Sequence, residues 1–505
     1  MSGGPDEGGT PRTPPVARSE VNSSLAATGP AAAALFSDLR KLATHSAVYG
    51  AADVFTNVVT VLLLPLYIKF LTTEDIGNLA LLILFSTFAK VVFRLGLDAG
   101  FFRIHYGLKT EAERRALAST VSLFAAGVGA LLLAAVAAAA RPITGWLFGA
   151  TPVPMSWVVL VAADIAAGTL AFVPLALLRI QDRPALFSTF SVTRHTVNIV
   201  LKVVLVRSGW GVTGILWSDL TATIVFSLAL LPTLVRHAAP AFSVPLLGET
   251  LRFGVPKVPH GLLLQVQNLA DRKILDFFVT RGEVGLYQMG YNFGQGVKFA
   301  TSAFEPAWGP FVYAQLGRPD APTTLARVAG HVFAFFVWAT LGVAILGGDL
   351  LTLLTPRNPA FRAAAPVIPV VALAYLLHGV FLLTSIGIGI ERRARYYPLV
   401  TGAAAAANVA ANFVLIPRLG MMGAAWATVL SYAVMALAGF TISRRLFPIP
   451  LEGRRWLWPA AVAGGLYALS TLAPASAAAR VAVELALVAA YPLILAATGF
   501  LRREV

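Results

Sequence analysis

Apolar runs of about 20 residues recur from Ala47 almost to the C-terminus, each long enough to cross a hydrocarbon core of about 30 Å as a helix. No other feature constrains the chain as strongly. A bilayer leaves no water for backbone groups, so only helices or closed barrels can span it, and these runs are about twice the length of a barrel strand. The predicted class is therefore all-α, a polytopic membrane protein of about 14 transmembrane helices. Composition agrees, since 57% of the 505 residues are hydrophobic and 12% charged, with a mean hydropathy of +0.75, whereas soluble domains carry roughly 25% charged residues.

Spans are predicted near 47–71, 78–102, 116–140, 153–178, 186–206 and 212–234, then 251–278, 284–314, 326–347, 363–389, 396–416 and 420–441, with two more near 456–473 and 479–500. The opening stretch MSGGPDEGGTPRTPPVARSEVNSSLAATGP has no aromatic residue and cannot bury enough apolar area to fold, so residues 1–45 read as a disordered cytoplasmic tail without a cleavable signal peptide. A net charge of +15 could suggest nucleic acid, but the Lys and Arg are scattered through short loops, and topology accounts for them. More than twice as many fall on the tail's side of the membrane as on the other, which predicts cytoplasmic termini. The turn holding Arg281, with Arg272 and Lys273 nearby, runs against that bias. Absence of cysteine rules out disulfides, thiolate metal sites and a Cys nucleophile.

The sequence FLTTEDIGNL, from Phe70, returns 208 residues later as FVTRGEVGLY, from Phe278. Each stretch joins two predicted spans on the outer side. GVTGILWSDL, from Gly211, is echoed by GMMGAAWATV, from Gly420; Asp182–Arg183 is echoed by Glu391–Arg392; Lys90 is echoed by Lys298. Anchors at one near-constant spacing mark a tandem six-helix repeat. The expected architecture is two pseudo-symmetric six-helix lobes plus two C-terminal helices: an N-lobe over 46–235, a linker over 236–250, a C-lobe over 251–445 and the extra pair over 446–505. An even number of helices per repeat makes the halves parallel in topology, an arrangement that can place a substrate between two lobes.

Ionisable groups inside spans cost a few kcal/mol each and tend to face a cavity or a partner. Lys90, Arg94 and Asp98 recur at i, i+4, i+8; Tyr287, Tyr291, Gln295, Lys298, Ser302 and Glu305 share a helical face, as do Lys257, His260, Gln265, Gln267, Asn268, Asp271 and Arg272, and Tyr49, Asp53, Thr56, Asn57 and Thr60. Asp98 is expected to pair with Arg94, and Lys69 to snorkel to the interface. Lys90 and Lys298 both lie 13 residues past the shared turn glycine, roughly 20 Å along a helix, which predicts one cavity. Its cations Lys90, Arg94, Lys257, Arg272 and Lys298 suit phosphate or pyrophosphate. Tyr49, Asn57, His260, Gln265, Asn268, Tyr287, Tyr291 and Gln295 suit sugar hydroxyls, and Asp53, Asp271 and Glu305 are candidates for coupling to H+ or Na+. No metal site or cofactor is expected.

The stretch LRFGVPKVPHGLLLQVQNLADRKILDFFVTRGEVGLYQMGYNFGQGVKF, with its FG-P--P start, N-DR and VGLY turn, supported by IPRLGMMGAAWAT, resembles the polysaccharide flippases of the multidrug/oligosaccharidyl-lipid/polysaccharide exporter superfamily over about residues 40–445. The resemblance implies a non-enzymatic protein that moves an undecaprenyl-pyrophosphate-linked oligosaccharide across the bacterial inner membrane by alternating access, in contact with membrane lipids and other polysaccharide-assembly membrane proteins. Two helices beyond twelve match the count of the related lipid II flippases, and that alternative stays open. A cation or drug antiporter of the superfamily would be expected to line its cavity with acids. A glycan polymerase or ligase would need a sizeable catalytic loop outside, and the outer connections are short.

Overall fold

The computed structural model describes residues 63–500, apart from 150, 182, 317, 392, 394 and 475. The tail, most of the first predicted span, and with it Tyr49, Asp53 and Asn57, lie outside the described residues. The described chain is helical: α1 (Leu64–Phe70), α2 (Thr73–Arg94), α3 (Leu97–Gly107), α4 (Glu111–Ala138), α5 (Ala140–Phe148), α6 (Ser156–Ile180), α7 (Pro184–Arg207), α8 (Gly211–His237), α9 (Val244–Gly254), α10 (Val258–Asp276), α11 (Arg281–Gly294), α12 (Val297–Gln315), α13 (Ala321–Leu354), α14 (Val367–Thr384), α15 (Ile386–Ile390), α16 (Tyr396–Leu419), α17 (Met421–Leu446), α18 (Gly453–Ser470) and α19 (Ala477–Ala497).

Ten of these segments are long and apolar enough to cross a membrane. Large apolar side chains such as Leu399, Leu437 and Leu493 lie exposed along them, as a lipid-facing surface requires. The protein is an all-α, multi-pass membrane protein. Outside the ten are the first span, most of which lies beyond the described residues, the predicted spans at 251–278 and 284–314, which carry many polar residues, and α18.

Packing follows the repeat. In the first half α6 packs on α4 and α8, and α8 on α7; in the second, α14 packs on α13 and α17, and α17 on α16. The repeated turns have the same local chemistry. Thr72 caps α2 by accepting from Asp75 N (3.1 Å), while Asp75 accepts from Thr72 N (2.9 Å); Thr280 and Glu283 make the same capping box at the start of α11. Such reciprocal bonds satisfy amides that a helix start leaves open, which explains why Thr and an acid recur at these places. The last two helices lie on α13, α19 being held there by Tyr491 Oη donating to Ala334 O (3.0 Å), Trp338 Nε1 donating to Val488 O (3.0 Å), and a bidentate Arg480–Asp349 pair.

Two boundaries differ from the sequence expectation. The span predicted at 78–102 is broken after Arg94, where Leu95 (φ 46°) and Gly96 (φ 69°) are left-handed. Close approach explains the glycine, because a Cβ there would sit 2.1 Å from Gly254 O. The second half of the predicted linker 236–250 belongs to α9, which packs on α3. Pro256 and Pro259 cannot donate backbone hydrogen bonds, so the next helix starts at Val258 after a 3-10 turn.

Candidate functional site

Helices α2, α6, α7 and α8 enclose two adjoining cavities in the first half of the chain. One, of about 340 Å³, is lined by Lys90, Arg94, Asp98, Asp164, Arg179, Arg194 and Thr223 with Phe102, Phe172, Phe187 and Phe226. The other, of about 280 Å³, is lined by Tyr67, Ser86, Thr87, Lys202 and Asp219, and again by Lys90, Asp164 and Arg194. Those three shared residues stand at the divide.

The cations form a ladder, with Arg94 one helical turn from Lys90, and Arg194 two turns, about 12 Å, from Lys202. Most are held in place by a neighbouring acid or ring. Arg94 Nη1 lies 3.0 Å from Asp98 Oδ2, so the expected pair forms even though the helix breaks between them. Arg194 Nη2 donates to Thr223 Oγ1 (2.9 Å), which donates to Asp164 Oδ1 (2.5 Å). Lys202 Nζ and Asn198 Nδ2 both meet Asp219 Oδ1 at 2.8 Å. Arg179 lies over the Phe187 ring at 4.5 Å. Lys90 has no hydrogen-bond or ion-pair partner among the described residues. Five cations face three carboxylates across the two cavities, a formal excess of two positive charges.

The polar residues expected from the second half are placed differently. Arg272 is 1% exposed and held on several sides: Nη1 meets Asp271 Oδ1 and Asn268 O, both at 2.6 Å, Nε donates to Gln288 Oε1 (3.1 Å), and the guanidinium lies 4.1 Å from the Tyr291 ring centroid. Tyr287 Oη donates to Asp271 Oδ2 (2.5 Å), and Tyr291 Oη is 3.1 Å from Tyr375 Oη. This is a buried wall, packed by Tyr375 of α14 and Tyr432 of α17; Asn268 accepts from Tyr432 Oη at 3.4 Å. Lys298 and Glu305 are exposed, on α12, and Lys298 does not line either cavity with Lys90. Helix 284–314 breaks at Gln295–Gly296, so Tyr287 and Lys298 do not share one continuous face. Lys257 lies exposed over the Phe253 ring at 4.3 Å. His260, half-buried, leaves Nδ1 without a partner among the described residues. Gln265 is half-buried, and Gln295 reaches Asn292 at 3.3 Å. Among the described residues no group of three or more His, Asp or Glu side chains could hold a metal ion.

Known proteins match this arrangement at the level of fold. A family model described as "Polysaccharide biosynthesis protein" matches residues 68–307. A solved structure of the lipid II flippase MurJ in an inward closed conformation superposes with a TM-score of 0.72 at 11% identity, covering 89% of this chain and 99% of that one. The fold is that of the multidrug/oligosaccharidyl-lipid/polysaccharide exporters. Two further solved structures fit less closely. An inward-facing multidrug resistance MATE family transporter of that superfamily aligns with a TM-score of 0.51 at 14% identity, over 79% of this chain and 94% of that one. The Vibrio cholerae MATE transporter VcmN in its bent form gives 0.51 at 14%, over 81% and 98%. No curated protein matches the chain by sequence.

In this fold Lys90, Arg94 and Asp98, expected from the sequence to line a cavity, do so together with Asp164, Arg179, Arg194, Lys202 and Asp219, which are not among the residues expected there. A usable signal existed, because each is an ionisable residue inside or at the end of an otherwise apolar helix. Arg194, Asn198 and Lys202 recur at i, i+4 and i+8 along α7, and Asp219, Thr223 and Ser227 along α8, stripes of the same kind as Lys90, Arg94 and Asp98.

Proposed function

We propose that the chain is a flippase for a polyprenyl lipid carrying a pyrophosphate-linked saccharide. The excess of two positive charges in the paired cavities carries this reading, since a pyrophosphate diester bears about two negative charges at neutral pH and a cation-drug antiporter would need the opposite sign. In this reading fourteen spans form two six-helix lobes plus two C-terminal helices in the bacterial inner membrane, with both termini cytoplasmic. Lys90, between the cavities and without a partner among the described residues, receives the anion from Arg94 and Arg179, and Arg194 and Lys202 pass it onward as the lobes rock. Asp98, Asp164 and Asp219 hold the cations while the site is empty, and a phosphate oxygen displaces them. Tyr67, Ser86 and Thr87 face the saccharide. Coupling to a proton or sodium gradient runs through a carboxylate, with Asp53 and Glu305 the candidates and Asp271, buried against Arg272, a third only if its Asn variant keeps full abundance, and the lipid tail stays in the bilayer beside the apolar helix faces.

Likeness to the MurJ structure and the two extra helices favour lipid II as cargo. The match of residues 68–307 to a polysaccharide biosynthesis family favours an oligosaccharide repeat unit handed to other assembly proteins, as the second reading. Proteoliposomes loaded with each lipid and assayed by protection from an external saccharide-degrading enzyme separate the two. Transport of neither lipid, or binding of organic cations instead, overturns the flippase reading. Accumulation of already flipped, unpolymerised units outside a deletion strain points to a polymerase or ligase.

A further inference from the structure

At the end of the bundle that carries both repeated turns, two cations of α10 and α11 reach across to the C-terminus of α5. Lys273 Nζ donates to Leu147 O (3.1 Å), and Arg281 Nη2 donates to Phe148 O (2.8 Å). Asp276 binds both cations, at 2.9 Å from Lys273 Nζ and 3.0 Å from Arg281 Nη1, and the three side chains are 8 to 9% exposed. The last carbonyls of a helix have no partner within it and carry the negative end of its dipole, so α5 offers a ready cation site. Phe277 lies 4.7 Å from Lys273 Nζ and Phe148 5.5 Å from the Arg281 guanidinium. These are the cations that break the charge bias of the loops.

We infer that Lys273, Asp276 and Arg281 form a releasable latch that grips the end of α5 and keeps the outer mouth of the cavity shut. Three features make it releasable. The gripped groups are backbone carbonyls, which water satisfies equally well once the halves part. Arg281 Nε and Nη1 have no hydrogen-bond acceptor among the described residues while buried, so the Nη1 contact with Asp276 is electrostatic only, and the closed state carries an unmet desolvation cost. Asp276 travels with both cations on the same side of the gap, so opening orphans no charge. The transporter reading above gives opening its meaning, and the latch itself can be tested without substrate.

With no native cysteine to remove, Ser86→Cys serves as a reporter inside the cavity, labelled from outside intact cells by a membrane-impermeant maleimide. Asp276→Asn and Arg281→Gln are expected to speed labelling roughly tenfold by shifting the population toward the open state. The triple neutral variant Lys273→Gln/Asp276→Asn/Arg281→Gln, which leaves no buried charge unpaired, should do the same if a single variant folds poorly. Nitroxides at Thr151 and Val279, on opposite sides of the cleft, should show a longer distance in the triple variant. Unchanged labelling and unchanged distance overturn the latch. If the variants open while the wild type flips no lipid-linked saccharide, the latch stands and the flippase reading falls; if the wild type flips and labelling ignores the variants, the latch alone falls.

Discussion

Gly77 and Gly285, 208 residues apart, rest on each other's helices. A Cβ on Gly77 would lie 2.2 Å from Arg281 O, and one on Gly285 1.9 Å from Thr73 O, and Arg281 is the repeat counterpart of Thr73. The shared glycine of the two turns is thus where α2 and α11 cross backbone to backbone. Either glycine changed to Ala must spread the crossing, at about 1–3 kcal/mol. Gly77→Ala and Gly285→Ala should each lower thermal stability in detergent and raise outside labelling of the Ser86→Cys reporter, whereas Gly145→Ala, with open space around it, should do neither.

Lys90→Gln removes a cation with no partner among the described residues, so nothing is orphaned. Flipping is expected to fall about tenfold or more, since a hydrogen bond to a charged group is worth roughly 1.5–3 kcal/mol, with melting temperature unchanged. Lys69→Ala should be mild, because Lys69 is exposed at a helix end with its ammonium 5.1 Å from the Phe70 ring. A proteoliposome flipping assay with a parallel melt reads both, and normal flipping by Lys90→Gln removes Lys90 from the anion route.

Asp271 and Arg272 should behave as a structural pair. Breaking a buried pair by removing one member costs roughly 3–5 kcal/mol, so Asp271→Asn or Arg272→Gln should lose folded protein before any transport step is tested. Full abundance of Asp271→Asn together with loss of gradient dependence would instead assign the coupling role to Asp271.

Orientation is checked with two cysteines. Glu74→Cys, on the exposed face of the first repeated turn, should label from outside intact cells, and Arg393→Cys should label only after permeabilisation. The reverse pattern inverts the topology.

The repeat was legible because capping and close crossing each demand a particular residue: Thr72 and Thr280, Asp75 and Glu283, Gly77 and Gly285 are fixed by local geometry. Charge inside a span needs an outlet, which marks Lys90, Arg94 and Asp98 in the sequence, but the cavity expected to join Lys90 with Lys298 is lined by Lys90 without Lys298. The face holding Tyr287, Tyr291 and Arg272 was read as open because periodicity reports which side chains share a face, not what covers them. Tyr375 and Tyr432, far along the chain, cover it. The break at Leu95 had no local signal beyond Gly96, because its cause is Gly254 on another helix.

The reciprocal seat of Gly77 on Arg281 and Gly285 on Thr73 is an isologous contact, in which residue i meets j and j meets i. Separate copies of one subunit make such contacts across a two-fold axis. The connection through residues 238–243 therefore adds local concentration rather than geometry. Two polypeptides divided there would carry the complementary surfaces needed to find each other in a membrane, since the two halves meet at this crossing as the subunits of a two-fold dimer do.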